Sequence, residues 1–398
     1  MPVEDALSRI LAHAETAVSP EHCPLIDALG RVLAVDLVAP LAVPGADNSA
    51  MDGFALRAAE AGSGPLPVSQ RVPAGHRPTP LAPGSAARIF TGAVIPEGAD
   101  AVVMQEDCDI EDDSVRVRGD VGVGQHIRKR GQDIHEGDTI LTAGRRLRPQ
   151  DLGLAASVGL SEVLVYRTLR VAILSTGDEL VEPGRGVAAP GQLYNSNRFT
   201  LAGLLKSLGA EVIDGGIVRD DPAATTDALA RAADAADLII TSGGVSVGEE
   251  DHVKAAVQSL GALDLWKLAI KPGKPLAFGR VGETPFLGLP GNPSSVFVTF
   301  CLVARPLLLA LQGASDIAPV TARARAGFTV NRAGTRQEYL RATVTSDDGG
   351  MTVSAFSNQS SGVLSSVSRS NALAVIPPGT TVAEGDTVEV LLLDLLTG

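Results

Sequence analysis

The sequence is poor in cysteine and in aromatic residues, and each shortage excludes a class of protein. The only cysteines in 398 residues are Cys23, Cys108 and Cys301, which lie far apart in the sequence. A disulfide framework and a cysteine-based zinc site are therefore not expected, and a reducing cytoplasm fits the sequence. Aromatic residues make up 3% of the chain, which is too few for the base-stacking surfaces of a protein that binds single-stranded nucleic acid.

Positive charge and membrane-spanning segments are also lacking. The chain has 33 basic and 46 acidic residues and a net charge of −13, so it would repel a nucleic-acid backbone. The most apolar segment, residues 296–311, is interrupted by Arg305 and Pro306 and is too short to span a bilayer, which predicts a buried helix. The acidic N-terminus lacks the basic start of a signal peptide. These features predict a cytoplasmic protein with neither a nucleic acid nor a membrane as its partner.

Lysine is rare, and its distribution is uneven. Only six of the 33 basic residues are lysine, and three of these fall in WKLAIKPGKP, at Lys267, Lys271 and Lys274. A compact ammonium group suits a phosphate oxygen, so this segment is a candidate phosphate contact. A solvated strand end explains the same residues equally well.

The middle of the chain has the pattern of an α/β domain. The apolar runs RVAIL, EVIDGGIV, DLII and TPFLGL are each followed by a polar loop and then by a helical segment. This alternation predicts a parallel sheet with helices on both faces. Asp221 before Pro222 predicts a helix that begins at residue 222, with the aspartate as its cap.

The flanking regions have other patterns. Residues 45–140 and 316–398 contain short alternating runs and predict an inserted, mostly β domain and a small C-terminal β domain. The N-terminal segment and residues 145–166 are predicted to be helical, and residues 1–44 and 141–168 are predicted to pack together as one discontinuous N-terminal domain. Residues 169–315 form the central α/β domain, so the fold class is a multi-domain α/β protein.

Four loops follow the predicted parallel strands: STGDE, RDD, TSGGVSVGEED and PGNPSS. In such a sheet, ligands bind at the carboxyl ends of the strands. Glycine backbone N–H groups bind phosphate, and carboxylates bind Mg²⁺. Asp221 is also explained as a helix cap, and Asp178 and Glu179 as complements of a helix dipole. The residues alone therefore predict a phosphorylated, nucleotide-like ligand, Mg²⁺, and cleavage or transfer at a phosphoanhydride.

A set of motifs in order along the chain resembles one known family. These motifs are PGADNSAMDGFAL, IFTGAVIPEGADAVVMQED, RKRGQDI, STGDEL, TSGGVSVGEED, KPGKPLAFG and LPGNPSS. They resemble the molybdopterin molybdenumtransferase family, of the MoeA and gephyrin E-domain type. The resemblance is weakest in the C-terminal region, where TRQEYLR and NQSSGVLSS match.

The resemblance implies a function and a set of catalytic residues. It implies an elongated homodimer that inserts molybdate into adenylated molybdopterin, with Mg²⁺, and releases AMP. It also implies the molybdopterin adenylyltransferase and molybdoenzyme maturation factors as partners. The implied catalytic acids are Asp52, Asp133, Glu179, Asp220 and Asp251, of which Glu179, Asp220 and Asp251 would bind Mg²⁺.

The resemblance further implies a set of substrate-binding residues. These are Thr91, Arg128, Ser242, Gly243, Gly244, Ser246, Gly248, Lys267, Lys271, Pro290, Gly291, Asn292, Pro293, Arg341 and Ser361. Two other functions stay open: a scaffold that holds the pterin without chemistry, and the adenylyltransferase, whose fold resembles the central domain. The sequence does not distinguish molybdate from tungstate as the oxyanion.

Overall fold

The computed structural model describes residues 1–244 and 252–397. The chain begins with helix α1 (Val3–Leu11), followed by strands β1 (Pro20–Pro24) and β2 (Leu37–Val38). The buried face of α1 (Val3, Ala6 and Ile10) lies in the same apolar core as the central sheet. The helix therefore packs on the central domain, which differs from the expectation that it packs within the N-terminal domain.

Residues 45–140 are all described and contain no α-helix. Six of their strands form one sheet in the order β7-β4-β6-β5-β9-β8, and β3 pairs with β10. Two small apolar cores fill this inserted domain. The strands are β3 (Asn48–Ser49), β4 (Gly53–Leu56), β5 (Leu66–Val72), β6 (Ala86–Ile89), β7 (Ala101–Met104), β8 (Cys108–Glu111), β9 (Ser114–Val117) and β10 (Ile127–Arg128).

The chain then returns to the N-terminal segment through β11 (Thr139–Leu141), α2 (Pro149–Ser157) and β12 (Glu162–Tyr166). Strand β11 pairs with β2, and β12 pairs with β1 along its whole length. The prediction that residues 145–166 are helical is right for α2 and wrong for β12. Strand β12 forms because residues far away in the sequence supply its partner, and Val163 and Val165 complete a core with Cys23 and Leu33.

The central sheet is mixed, with strand order β16-β13-β17-β21-β20-β18. The first four strands are parallel, and β20 and β18 form an antiparallel edge. The α/β fold class is confirmed, with a mixed sheet in place of a wholly parallel one. The strands are β13 (Arg170–Thr176), β14 (Leu180–Val181), β15 (Leu193–Tyr194), β16 (Glu211–Val218), β17 (Leu238–Ser242), β18 (Gly261–Lys267), β19 (Ile270–Lys271), β20 (Pro275–Val281) and β21 (Thr284–Leu289).

Helices cover both faces of this sheet. One apolar core lies under α1, α3, α6 and α7, and a second lies under α4 and α5. The side chain of Asp221 accepts a hydrogen bond from the backbone N–H of Ala224 at 2.7 Å, which confirms the predicted cap. The helices are α3 (Ser196–Ser207), α4 (Pro222–Ala235), α5 (His252–Leu260), α6 (Pro293–Thr299) and α7 (Arg305–Leu311).

A π-helical turn (Phe300–Ala304) joins α6 to α7 in one helical run. By length and composition, this run (Pro293–Leu311) is apolar enough to cross a membrane, but 89% of its most apolar stretch is buried inside the protein. The prediction of a buried helix is confirmed.

The C-terminal region forms a closed sheet. Its strand order is β19-β23-β24-β22-β26-β25, and β23 also pairs with β25, which closes the sheet. Strand β19 belongs to the central domain by sequence, so this pairing joins the two domains. The elements are β22 (Thr321–Ala326), β23 (Gln337–Asp347), β24 (Gly350–Ala355), α8 (Leu364–Ser368), β25 (Ala372–Ile376), β26 (Thr387–Leu392) and α9 (Leu393–Thr397).

A buried carboxylate links α2 to the segment before it. Asp151 is 3% exposed and accepts hydrogen bonds from Arg145 Nη2 at 2.9 Å and from Arg148 N and Nε at 3.0 and 3.1 Å. Burial raises the pKa of Asp151, but the hydrogen bonds from Arg148 and Arg145 outweigh that effect and lower the pKa to about 2. The folded protein therefore holds this proton more weakly than the unfolded chain does.

We expect Asp151→Asn to lower the free energy of unfolding by about 2 kcal/mol at pH 7, and the exposed Asp348→Asn to have little effect. Because the folded pKa is depressed, this stabilisation is complete above the unfolded pKa of about 3.9 and falls as the pH approaches 2. Urea unfolding of the wild type and both variants at pH 7 and pH 3 measures the effect. An Asp151→Asn deficit that is as large at pH 3 as at pH 7 would contradict the assignment.

Candidate functional site

The parallel strands place four loops at one edge of the central sheet. Strand β13 is flanked by β16 on one side and β17 on the other, and β21 follows β17. The chain leaves β13 towards β16 and leaves β17 in the opposite direction, towards β18, which creates a crevice at the carboxyl ends of β13 and β17. The loops after β13, β16, β17 and β21 are the four that the sequence singled out.

The carboxylates of Asp178 and Asp220 lie at this edge, and each accepts a hydrogen bond from the backbone of the other residue. The N–H of Asp178 donates to Asp220 Oδ2 at 3.1 Å, and the N–H of Asp220 donates to Asp178 Oδ1 at 3.2 Å. This reciprocal pair joins the β13 and β16 loops. One oxygen of each carboxylate is not used in the pair, and both side chains are exposed. Oxygen donors of this kind are the ligands that Mg²⁺ prefers, so the described residues fit that ion in donor type.

Glu179 follows Asp178 and is exposed. Its side chain folds back over Gly177, where a Cβ would lie 2.4 Å from Glu179 Oε2. Gly177 has φ of +140°, so both the backbone conformation and the space require glycine here. Two of the predicted metal-binding acids, Glu179 and Asp220, thus lie in adjacent loops.

The start of the glycine-rich loop lies against β13. Ser242 is buried, and its hydroxyl is 3.4 Å from that of Ser175. Gly243 and Gly244 have φ of +88° and +65°, and a Cβ at Gly244 would lie 2.7 Å from the hydroxyl oxygen of Thr176. These glycines therefore let the loop pass close over the end of β13.

The loop after β21 lies beside the glycine-rich loop. A Cβ at Gly291 would be 3.8 Å from the Cα of Gly243, and the N–H of Gly243 donates to the carbonyl of Leu289 at 3.2 Å. Pro290 is buried, Asn292 is exposed, and Pro293 begins α6.

Part of the predicted site lies outside the described residues. Ser246, Gly248 and Asp251 belong to the segment 245–251, as do Glu249 and Glu250. Within residues 1–244 and 252–397, no group of three or more histidine, cysteine, aspartate or glutamate side chains is arranged to hold a metal ion.

Sequence reasoning missed a cationic cavity next to the Asp178–Asp220 pair. A cavity of about 840 Å³ is lined by Gly177 and Asp178 on one side and by Arg185, Arg198 and Arg219 on others. Arg198 is held by Asp214 and Glu182, whereas Arg185 and Arg219 are exposed. Arg219 immediately precedes Asp220, so the signal for a basic group was present within the RDD motif.

Sequence reasoning also missed two asparagines at the start of α3. Asn195 Oδ1 accepts from the backbone N–H of Arg198, and Asn197 Nδ2 donates to the carbonyl of Gly291 at 2.7 Å. The other amide atom of each, Asn195 Nδ2 and Asn197 Oδ1, is buried without a partner among the described residues, as is Thr176 Oγ1. Buried polar atoms are normally hydrogen-bonded, so these atoms favour a polar ligand at this edge.

A second group of predicted residues lies in the inserted domain. Asp52 Oδ1 accepts hydrogen bonds from the backbone N–H and the hydroxyl of Thr91, at 2.8 and 2.7 Å. These bonds hold the pKa of the exposed Asp52 below its usual range. Arg128 is exposed on β10, which pairs with β3. The backbone N–H of Asp133 donates to the carbonyl of Val43 at 3.0 Å.

These residues are separate from the sheet edge within one chain. Among the residues that the structure describes, no hydrogen bond or ion pair joins residues 45–140 to residues 169–315. The described catalytic acids therefore fall in two places, Asp52 and Asp133 in the inserted domain and Glu179 and Asp220 at the edge of the central sheet.

The lysines lie near the boundary with the C-terminal domain. Lys271 Nζ lies 3.1 and 3.2 Å from the two carboxylate oxygens of Glu338 on β23, and the Lys271 side chain is 48% exposed. Lys267 is exposed at the end of β18, and its carbonyl accepts from the N-terminal amine at 3.0 Å.

Arg341 and Ser361 are in the C-terminal domain. Arg341 is 1% exposed, and its guanidinium donates to Ser366 Oγ at 3.1 Å and to the carbonyl of Ser360 at 3.2 Å. The carbonyl of Ser361 accepts from the backbone N–H of Ser294 at 3.0 Å.

Comparison with protein-family models accounts for most of the chain. The MoeA N-terminal region (domain I and II) matches residues 1–159, a probable molybdopterin binding domain matches residues 172–310, and the MoeA C-terminal region (domain IV) matches residues 323–393.

Individual proteins and structures agree with the models. The chain is 40% identical to a molybdopterin molybdenumtransferase of Haemophilus influenzae over the full length of both, and 43% identical to one of Mycobacterium tuberculosis over 77% of this chain and 79% of that protein. A crystal structure of a molybdopterin biosynthesis MoeA protein from Pyrococcus horikoshii superposes with a TM-score of 0.84 at 31% identity, covering 98% and 99% of the two chains. The chain therefore belongs to the MoeA family of molybdopterin molybdenumtransferases, which are transferases of molybdenum cofactor biosynthesis.

Proposed function

We propose that this protein inserts molybdate into adenylated molybdopterin, with Mg²⁺-dependent cleavage of the phosphoanhydride and release of AMP. The observation that carries the proposal is the contact between Asp178 and Asp220 beside the glycine-rich loop, at the switch point of a molybdopterin-binding domain. The cleavage adds one water across the P–O–P bond: its oxygen joins one phosphate, AMP leaves, and a proton is released.

Each part of the site has a task in this reaction. The backbone N–H groups of the loop 242–248 bind phosphate, and Arg185 and Arg219 add positive charge beside the acids. Glu179, Asp220 and Asp251 would hold Mg²⁺, and the bound ion would supply positive charge against the phosphate oxygens. Molybdate is a substrate, and the sulfur ligands of its molybdenum come from the pterin, so the scarcity of cysteine is no obstacle. Insertion forms two Mo–S bonds, and the two thiol protons leave with one oxide of molybdate as water.

The expected result is AMP release that requires adenylated molybdopterin, molybdate and Mg²⁺ together. Asp220→Asn should slow this release by about 100-fold, because a preorganised charge at the reacting phosphate is lost. Asp221→Asn is the matched control, since asparagine also caps a helix. Chromatography of the released AMP measures both rates. A protein that binds the pterin and releases no AMP would be a scaffold, and AMP release without molybdate would also contradict the proposal.

We also propose that the protein is a homodimer in which two chains share each site. Large apolar side chains are exposed at Ile26, Leu29 and Val38 in the N-terminal domain and at Leu193 and Phe199 near the sheet edge. We assign these side chains to the surface that a second chain covers. A two-fold axis would let Asp52, Thr91, Arg128 and Asp133 of one chain reach the sheet edge of the other.

Shared sites predict complementation between two inactive chains. Asp52→Ala and Asp220→Ala chains are coexpressed with different affinity tags, and the mixed dimer is purified through both tags. One of its two sites then has both lesions and the other has neither, so we expect about half of wild-type AMP release. If each site is built within one chain, every site keeps one lesion and the mixed dimer is as inactive as its parents.

Lys271 is proposed to bind a phosphate of the substrate. In the structure its ammonium group contacts Glu338, a carboxylate that a phosphate can replace. Lys267 and Lys274 lie at the two ends of the short segment that contains Lys271. These ends are close together, because the backbone N–H of Leu268 donates to the carbonyl of Lys274 at 2.7 Å. The segment 267–274 thus carries three exposed lysines beside the domain boundary.

Lys271→Ala should raise KM for the adenylated pterin about tenfold with little change in kcat, because a ground-state contact is lost. Lys271→Arg should restore KM only in part, since the guanidinium group of arginine is planar and larger than the ammonium group of lysine. Glu338→Gln is the control, because it removes the competing carboxylate and should leave KM unchanged or lower it. Steady-state AMP release measures all three. If Glu338→Gln raises KM as much as Lys271→Ala, the ion pair is structural and the proposal fails.

The composition and the family support a cytoplasmic location, and we propose it together with two partners. The adenylyltransferase would supply the substrate, and molybdoenzyme maturation factors would receive the product. The oxyanion is proposed to be molybdate, and tungstate competes for the same tetrahedral site.

A further inference from the structure

Helix α6, which follows the loop at residues 290–292, is held at its start by the C-terminal domain. At the start of α6, Asn292 makes no side-chain cap, so the first backbone N–H groups need other partners. The backbone N–H of Ser294 donates to the carbonyl of Ser361, and its hydroxyl donates to the carbonyl of Val363 at 2.9 Å. Both acceptors belong to the C-terminal domain, so that domain caps the helix.

The capping segment is itself fixed by Arg341. Its guanidinium donates to the carbonyl of Ser360 and to the hydroxyl of Ser366, which lie on either side of Ser361 and Val363. Gln359 completes the link: its amide nitrogen donates to the carbonyl of Arg341 at 2.8 Å, and its oxygen accepts from the backbone N–H of Arg341 at 3.0 Å. The buried Arg341 thus makes all its polar contacts inside the protein.

The same helix start borders two loops of the proposed site. Residues 290–292 lead directly into α6, and Asn197 holds the carbonyl of Gly291 from the opposite side. At the other end of α6, a Cβ at Gly273 would lie 2.4 Å from the hydroxyl oxygen of Thr299, so the loop that carries Lys271 packs on α6 as well. A shift of α6 therefore moves both loops.

We propose that Arg341 and Ser294 are positioning residues, through which the C-terminal domain sets the loop 290–293 at the sheet edge. Arg341 fixes the segment 359–366, that segment holds Ser294, and Ser294 fixes the start of α6. This role replaces direct substrate binding by Arg341, and its effect on catalysis rests on the proposed function.

Hydrogen exchange of the substrate-free protein tests the link without any assumption about activity. In Arg341→Lys and Ser294→Ala, the peptide covering residues 291–297 should exchange about fivefold faster, because a buried hydrogen bond that restrains the segment is lost or weakened. Arg369→Met is the control for Arg341, since Arg369 is an exposed arginine of the same domain. Ser295→Ala is the control for Ser294, since Ser295 is the next buried serine of α6.

The AMP-release assay adds the catalytic readout. Assayed well below their melting temperatures, both variants should lower kcat/KM about tenfold, since small displacements of positioning groups are costly. Arg341→Met should lower it further, so that lysine appears as a partial rescue. Unchanged exchange at residues 291–297 in Arg341→Lys and Ser294→Ala overturns the inference, and a loss of activity without that change assigns Arg341 to substrate contact. Faster exchange in a protein that releases no AMP supports the link and counts against the proposed function alone.

Discussion

Burial of the helical run Pro293–Leu311 joins three parts of the molecule in one apolar core. Its side chains contact the central strands, helix α1 from the N-terminus, and residues of the C-terminal domain such as Tyr339 and Leu391. Apolar burial has no directional requirement, so one long apolar helix can serve all three neighbours at once. The relative placement of these units depends on that helix, and the site loop at residues 290–292 leads directly into its first turn. Core packing and site geometry are therefore set by the same element.

The loops at the polar edge of the central sheet are held by directed contacts, whereas the apolar core is held by burial without a preferred direction. These loops are fixed by a few directed contacts: the exchange between Asp178 and Asp220, the close passage of Gly243 and Gly244 over Thr176, and the bond from Asn197 to Gly291. Directed contacts of this kind position groups for chemistry, while the buried strands beneath them supply rigidity. The remaining hydrogen-bonding capacity of Thr176 and Asn195 points to a polar ligand rather than an apolar one.

The sequence predicts local features of this fold better than distant pairings. The central α/β alternation and the Asp221 cap are determined within short segments, and both are present. Strand β12 is wrongly predicted to be helical. Its partner β1 lies more than a hundred residues away, and the local sequence does not indicate that pairing. Likewise, the strand-end motifs locate Asp220 and Gly243 at one edge, but the cavity around Arg185 arises only when separate segments meet. For Asp52 and Thr91 the signal was resemblance alone, since their contact spans 39 residues of an inserted domain.

The pairing of β2 with β11 brings the two ends of the inserted domain together. The chain enters and leaves the inserted domain side by side, and the backbone N–H of Ala39 donates to the carbonyl of Asp138 at 2.8 Å. Two termini that meet in this way can be joined by a short linker without distorting either unit. The inserted domain is thus separable from its host by two cuts that lie side by side, one in each crossing of the chain. Transplanting it between relatives would exchange the surroundings of Asp52, Thr91, Arg128 and Asp133 while leaving the central sheet as it is.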